Sequence, residues 1–261
     1  MSETQCNFIW YELMTSDAAA SEAFYKAVVG WGIEDAGMPG PMKYSMLTVE
    51  GKGIGGMMEM TPEMCADAKP SWTGYIAVPD TDAFAAKIKE EGGAVYREPE
   101  DIPMVGRFAV VADPHGAVFE IMTPSPEGEM NWPDFKLQGM PGWRELHAGD
   151  NDEAWAFYSE LFGWTQSGGM DMGEMGIYRI FDCDGKPIGG MLTKMPDTPA
   201  PTWVYYFNVD DINAAVTRVK DNGGQILMGP HEVPGGTWIV QCMDPHGALF
   251  ALMTPGGDYS A

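Results

Sequence analysis

Asp113-Pro114-His115-Gly116-Ala117 returns unchanged as Asp244-Pro245-His246-Gly247-Ala248, 131 residues further along the chain. Asp, Pro and Gly at these offsets are tight-turn chemistry, so the same turn is made twice. Working outward, Trp72, Val78 and Gly92-Gly93 return at the same spacing as Trp203, Val209 and Gly223-Gly224, and Thr123-Pro124 as Thr254-Pro255. Nearer the start, Trp10-Tyr11-Glu12-Leu13 returns as Trp143-Arg144-Glu145-Leu146. Phe24-Tyr25 and Gly30-Trp31 return as Phe157-Tyr158 and Gly163-Trp164, and Gly55-Gly56-Met57 as Gly189-Gly190-Met191. The spacing shifts only across Gly- and Pro-rich stretches, as loop insertions make it do. The chain is two homologous halves, about 6–124 and 139–255, joined through Ser125-Pro126-Glu127-Gly128-Glu129 and a Trp132-Pro133 stretch. The expected division is a first domain over 1–125, a linker over 126–138 and a second domain over 139–261.

Each half reads alike. A strand is expected over Phe8 to Met14. Asp17 then caps a helix whose apolar residues Ala20, Phe24 and Val28 recur every fourth position until Gly30 stops it. Strand-like stretches follow around Tyr44–Val49, Gly53–Met60 and Trp72–Pro79, then a helix from Asp80 to Gly92-Gly93. Strands around Ala94–Arg97, Phe108–Ala112 and Val118–Met122 complete the half. In the second half Asp150, and Asp210 or Asp211, are the expected caps. The order is β-α-β-β-β, four times over, an α+β architecture.

Acidic residues outnumber basic ones 38 to 15, for a formal charge of -23. A nucleic-acid binder needs a basic footprint, and no Lys/Arg cluster supplies one. No basic amphipathic helix suits a membrane surface, and no apolar run approaches the roughly 18 residues of a span. Solubility and self-repulsion account for the bulk charge, with attraction of a cationic ligand as the sharper reading. Met1-Ser2-Glu3-Thr4 has no basic, then apolar, leader pattern. Cys6, Cys65, Cys183 and Cys242 form no CxxC and have no histidine at zinc spacing, so free thiols in a reducing compartment, the cytoplasm, are expected.

These blocks together resemble the vicinal oxygen chelate superfamily of glyoxalases, bleomycin-resistance proteins and extradiol dioxygenases. The marks are Asp17…Phe24-Tyr25…Gly30-Trp31 and its copy, Tyr75-Ile76-Ala77-Val78…Asp80, and Asp113-Pro114-His115-Gly116…Glu120. The resemblance covers nearly the whole chain and is close to tandem two-domain glyoxalase-like proteins. It implies four βαβββ modules paired into two glyoxalase-like domains with open cup-shaped sheets. It also implies a divalent metal held in each cup by His or Gln, His and Glu. Carried over residue by residue, the ligand positions hold Trp10, Thr73 and Glu120 in the first half, and Trp143, Val204 and Ala251 in the second. A fourth falls near Met57–Glu59 and Met191–Thr193, where Glu59 could serve. One carboxylate among three positions does not hold a transition metal, so no cofactor is expected. The alternative is Mg or Ca bound weakly between Glu12 and Glu120, or a proton shared by them.

Strand parity puts Trp10, Glu12, Thr73, Tyr75, Val118 and Glu120 on one side in the first half. The equivalents are Trp143, Glu145, Val204, Tyr206, Leu249 and Ala251, with His147 two residues beyond Glu145. Such a set suits a planar or cationic organic ligand through stacking and cation–π contact, or else simply fills the cup. Glu12 and Glu145 equally suit carboxylates satisfied by a Trp N–H, a Tyr O–H or a backbone donor. His115 and His246 read as turn residues and His231 as a loop residue. Gly55-Gly56 and Gly189-Gly190 read as strand bulges or close backbone approach, not a phosphate loop. The methionines in and beside strands read as core filling, or as an adaptable pocket lining.

The expected function is binding of a small aromatic or cationic organic molecule at Trp10, Glu12, Thr73, Tyr75, Glu120, Trp143, Glu145, His147 and Tyr206, without a catalytic metal. Two alternatives stay open. One is a lyase, isomerase or dioxygenase of the same superfamily, using Glu120, with Glu12 as a second catalytic candidate, and an atypical divalent metal. The other is a degenerate scaffold. The chain is expected to be a monomeric pseudo-dimer of its own two domains, or a homodimer.

Overall fold

A computed structural model describes residues 6–37, 43–61, 68–126 and 132–255. Cys65, residues 127–131 of the expected linker and the first residues of the chain lie outside these.

Module one consists of β1 (Phe8–Thr15), α1 (Ala18–Val28), β2 (Gly32–Asp35), β3 (Tyr44–Val49) and β4 (Lys52–Glu59). Module two is β5 (Ser71–Ala77), α2 (Thr81–Glu90), β6 (Ala94–Ile102), β7 (Gly106–Ala112) and β8 (Val118–Pro124). Module three is β9 (Pro141–Ala148), α3 (Asn151–Phe162), β10 (Thr165–Asp171), β11 (Ile177–Cys183) and β12 (Lys186–Thr193). Module four is β13 (Thr202–Asn208), α4 (Ile212–Asp221), β14 (Gln225–Val233), β15 (Thr237–Met243) and β16 (Leu249–Met253). The fold is α+β, with two eight-stranded sheets ordered β2-β3-β4-β1-β5-β8-β7-β6 and β10-β11-β12-β9-β13-β16-β15-β14.

Local chemistry starts each helix. Asp17, Asp80, Asp150 and Asp211 sit in extended backbone, and each carboxylate accepts the N–H groups left unpaired in the first helical turn. Asp211, not Asp210, caps α4; Asp210 accepts the Asp211 N–H instead. Strand side chains reach the same helix starts. Glu59 Oε2 accepts the Ala18 N–H at 3.1 Å, and its copy Thr193 accepts the Asn151 N–H through its hydroxyl at 3.1 Å. Glu59, expected as a possible fourth metal ligand, is thus occupied in starting α1.

Two features depart from the sequence reading. The strands β2 and β10 have no marked apolar alternation, because each lies at the end of its sheet with mostly exposed side chains. His231 is a strand residue, not a loop residue. β14 continues past Gly229-Pro230 by taking up a register shift, and His231 pairs with Ile239 on β15.

Packing divides the chain into two compact units: residues 1–9, 73–130 and 143–203 in one, and 10–72, 131–142 and 204–261 in the other. In the first, modules two and three share an aromatic core. Trp164 stacks on Phe181 with centroids 4.5 Å apart, and Phe84 stacks on Phe162 at 6.0 Å. In the second, modules one and four surround Tyr25, Trp31, Trp72, Phe207 and Phe250. The end of the expected linker is tied into this second unit. Asn208 donates to the Phe135 and Leu137 carbonyls, and Trp31 donates to the Gly139 carbonyl at 2.8 Å.

The repeated Asp-Pro-His-Gly turn has its explanation here. Asp113 Oδ1 accepts the N–H groups of His115 and Ala117, closing the turn, while Oδ2 accepts the hydroxyl of Tyr158, which itself receives the Trp203 N–H. Asp244, Tyr25 and Trp72 repeat the arrangement in the other unit. The motif joins module two to three, and four to one. Burial raises the Tyr25 hydroxyl well above the ordinary phenol range, and Asp244 reinforces this. His115 and His246 are turn residues as expected, and each reaches the neighbouring module, His115 to Glu153 at 2.7 Å and His246 to Ser16 at 3.3 Å.

Candidate functional site

Along β1 the odd residues Tyr11, Leu13 and Thr15 are buried, while Trp10, Glu12 and Met14 are only part-buried. The even residues therefore form the accessible face, as the parity argument requires. On that face the Trp10 indole N–H donates to the Tyr44 hydroxyl at 2.9 Å, and the Tyr44 hydroxyl donates to Glu12 Oε2 at 2.9 Å. The second half repeats this. Trp143 donates to the Tyr178 hydroxyl at 2.8 Å, and Tyr178 donates to Glu145 Oε2 at 2.9 Å. A carboxylate that accepts a phenol O–H, itself polarised by an indole N–H, is held in one orientation beside two aromatic rings.

The glycine pairs make this possible. Gly56 is in register with Glu12 on the adjacent strand, and a Cβ there would lie 1.9 Å from the Tyr44 hydroxyl. Gly190 is in register with Glu145, and a Cβ there would lie 2.3 Å from the Tyr178 hydroxyl. The tyrosine lies across the strand in the space a side chain would fill, so the expected close approach is correct and its purpose is to seat a phenol. Tyr44 and Tyr178 were not singled out from the sequence. Their 134-residue spacing, shared with Gly55-Gly56 and Gly189-Gly190, is the signal that finds them.

The two faces differ beside the carboxylate. His147 Nε2 lies 2.8 Å from Glu145 Oε1, whereas the corresponding residue beside Glu12 is Met14. Met46 borders the first face: a Cβ at Gly53 would meet its sulfur at 2.9 Å and the Trp10 ring at 3.3 Å.

The remaining expected residues are more deeply buried. Thr73, Tyr75 and Glu120 lie in the unit of modules two and three, with Tyr75 and Glu120 in register on adjacent strands and Glu120 only 5% exposed. Tyr206 lies in the unit of modules one and four, as do Trp10 and Glu12, and its hydroxyl receives the Gln241 amide at 2.8 Å. Gln241 is in register with Ala251, the counterpart of Glu120. The polar group beside this tyrosine has moved from β16 to β15, a substitution visible in sequence only as a glutamine in the apolar run Ile239-Val240-Gln241-Cys242. A shallow depression lined by Gly30, Gly32, Thr48, Gly51 and Gln138 includes none of these residues.

The donor set at the expected metal positions does not suit a transition metal. Trp10 and Trp143 present N–H groups that donate to tyrosines, and Val204 and Ala251 have no ligand atom in their side chains. Among the described residues no group of three His, Cys, Asp or Glu is placed to hold a metal ion. Buried Cys183 and Cys242 are free thiols, as is part-buried Cys6, and burial pushes Cys242 up to about 12. No helix among the described residues is long and apolar enough to cross a membrane.

The sequence model of the Glyoxalase/Bleomycin resistance protein/Dioxygenase superfamily matches residues 7–121 and 142–252. CFP32 of Mycobacterium tuberculosis, which carries a glyoxylase name, is 32% identical over 248 residues, covering 94% of each chain. The anthracycline biosynthesis protein DauV of Streptomyces sp. strain C5 is 30% identical over 259 residues, covering 94% of this chain and 91% of DauV. Among solved structures, the Mn(II)-bound glyoxalase from Novosphingobium aromaticivorans aligns over 99% of this chain and 85% of its own, with a TM-score of 0.65 at 18% identity.

Proposed function

The chain belongs to the Glyoxalase/Bleomycin resistance protein/Dioxygenase superfamily, and on that premise we propose that it binds a small planar organic molecule carrying positive charge on its Trp–Tyr–Glu faces, with no metal at the superfamily's ligand positions. The observation that carries this reading is the recurrence of one arrangement, Trp10–Tyr44–Glu12 and Trp143–Tyr178–Glu145, in both halves. The carboxylate, part-buried at Glu12 and buried at Glu145, is held beside an indole and a phenol, which puts a flat aromatic surface and a negative charge at one place. The formal charge of -23 adds a long-range attraction for cations. A relationship to a protein named for anthracycline biosynthesis supports a fused-ring ligand. The protein is read as a cytoplasmic binding protein whose two halves, 1–125 and 139–261, each present one face.

Three probes test this: the planar cation 10-methylacridinium, the neutral planar acridone and the non-planar cation tetramethylammonium. Calorimetric titration is expected to detect methylacridinium binding, weaker acridone binding and no tetramethylammonium binding. Trp10→Ala is expected to weaken methylacridinium at its own face about tenfold, the scale of a part-desolvated cation–π contact. Absence of binding by all three probes would falsify the reading.

The metal claim has its own test. Protein purified without chelator is expected to carry far less than one equivalent of transition metal by mass spectrometry. One tightly held Zn, Ni, Fe or Mn per chain overturns it.

A further inference from the structure

We infer that the first face accepts fused-ring cations of differing width and substitution while the second accepts a narrow set, because Met14, Met46 and Met58 border the first where His147, Ile180 and Leu192 border the second. The inference rests on the proposed reading of both faces as sites for planar cations.

Strand register puts all six on their faces. Gly56 is in register with Glu12 on β1 and with Met46 on β3. Two residues on, Met58 is in register with Met14 and with Tyr44. Residues in register point to the same side of a sheet, so the three methionines stand on the side of Glu12 and Tyr44. In the second half Gly190 is in register with Glu145 and with Ile180, and Leu192 with His147. The residues between point the other way and are fully buried: Leu13, Leu47 and Met57 in one half, Leu146, Phe181 and Met191 in the other. Core positions thus keep their apolar character between the halves. The face positions exchange three thioethers for a branched pair and an imidazole.

The exchange changes stiffness. Methionine is unbranched, has three rotatable bonds and carries a polarisable sulfur that suits the edge of an aromatic ring. Isoleucine branches at Cβ and is restricted at its first torsion. Leucine branches one atom later, and imidazole is a rigid plane. The backbone adds to the contrast. A Cβ at Gly53 would meet the Met46 sulfur, so the bare glycine leaves that thioether room to move beside Trp10. The counterpart of Gly53 is Pro187, in register with Asp182 on the strand that carries Ile180. A fixed pyrrolidine ring stands where the first face has free space. A surface that re-packs takes several ligands, whereas added atoms pressed against a stiff one force strain.

The experiment uses the full chain and two permanent cations, 10-methylacridinium and 9-phenyl-10-methylacridinium, whose phenyl group stands out of the ring plane. Trp143→Leu leaves the first face to be read and Trp10→Leu the second, with circular dichroism confirming each fold. Calorimetric titration is expected to give affinities for the two probes within about threefold on the first face. On the second, the phenyl probe is expected to bind about tenfold more weakly than the parent. Met14→His, Met46→Ile and Met58→Leu together, in the Trp143→Leu background, should impose that loss on the first face. His147→Met, Ile180→Met and Leu192→Met together, in the Trp10→Leu background, should relieve it on the second. Where a triple variant does not fold, Met46→Ile or Ile180→Met alone carries the same comparison. The same loss on both faces, or a difference that neither exchange moves, overturns the inference and leaves the binding reading standing. Absence of methylacridinium binding on both faces overturns the two together.

Discussion

Asp113→Ala is expected to destabilise the protein by about 3–5 kcal/mol, because one carboxylate serves three donors that burial would leave unpaired. The side chain is 2% exposed; it receives the His115 and Ala117 N–H groups at 2.9 Å and the Tyr158 hydroxyl at 3.3 Å. Deleting it opens the turn and removes the tie between module two and α3 in one step. Asp113→Asn keeps an acceptor for the turn and is expected to cost much less. The two variants also separate geometry from charge. Burial raises the Asp113 carboxyl above its ordinary range, and the Ala117 and His115 N–H groups only partly offset this. The folded chain therefore holds the proton more tightly than the unfolded one. The contribution of this group to stability is fully present below the ordinary carboxylate range and is lost as pH rises through the raised value. Wild-type stability relative to Asp113→Asn should thus decline over that window, read by urea unfolding at several pH values. A pH-independent difference between the two would show that the buried charge has no energetic consequence. An Asp113→Ala protein as stable as wild type would remove the turn's structural role.

Gly189→Ala is the second large effect, expected to cost about 1–3 kcal/mol and to lie toward the upper end of that range. A Cβ at Gly189 would lie 2.3 Å from the Arg144 carbonyl oxygen and 2.4 Å from Phe181 Cζ. The first neighbour is backbone of the adjacent strand and the second is a ring packed against Trp164, so neither can swing away cheaply. β9 and β12 have to separate at the register that seats Tyr178 over Gly190. Weakened ligand binding at the second face should therefore accompany the stability loss. Gly168→Ala is the matched control. Its nearest neighbour would be Ile180 Cδ1 at 3.5 Å, an ordinary contact. Thermal unfolding of the two variants side by side should show a clear loss for Gly189→Ala and little change for Gly168→Ala. Equal midpoints would mean that β9 and β12 tolerate the added carbon.

Much of the fold is legible in the chain because its signals are local. An aspartate before an apolar period of 3.6 residues starts a helix wherever it occurs, and all four caps follow from that rule. The Asp-Pro-His-Gly turn closes on its own Asp113 side chain, two and four residues away. Strands β2 and β10 escaped the pattern because a sheet edge imposes little burial, so no apolar alternation is written into them. The accessible face of β1 could be assigned by parity, and Trp10 with Glu12 followed directly. The partner that joins them could not, because Tyr44 lies 32 residues from Glu12 and reaches it only across Gly56.

The sequence by itself determined the duplication, the four βαβββ modules, the cap of each helix and the face on which Trp10, Glu12, Trp143 and Glu145 stand. These depend on neighbours in the chain and on strand parity, which any reading of spacing recovers. Only the tertiary structure decided what those groups do. It set Tyr44 and Tyr178 between indole and carboxylate, gave Glu145 a second partner in His147, and assigned Asp113 to Tyr158 and Asp244 to Tyr25. The physical reason is range. A hydrogen bond discriminates within a few tenths of an ångström, and at these separations that precision comes from strand register, from the missing side chains of Gly56 and Gly190, and from module packing.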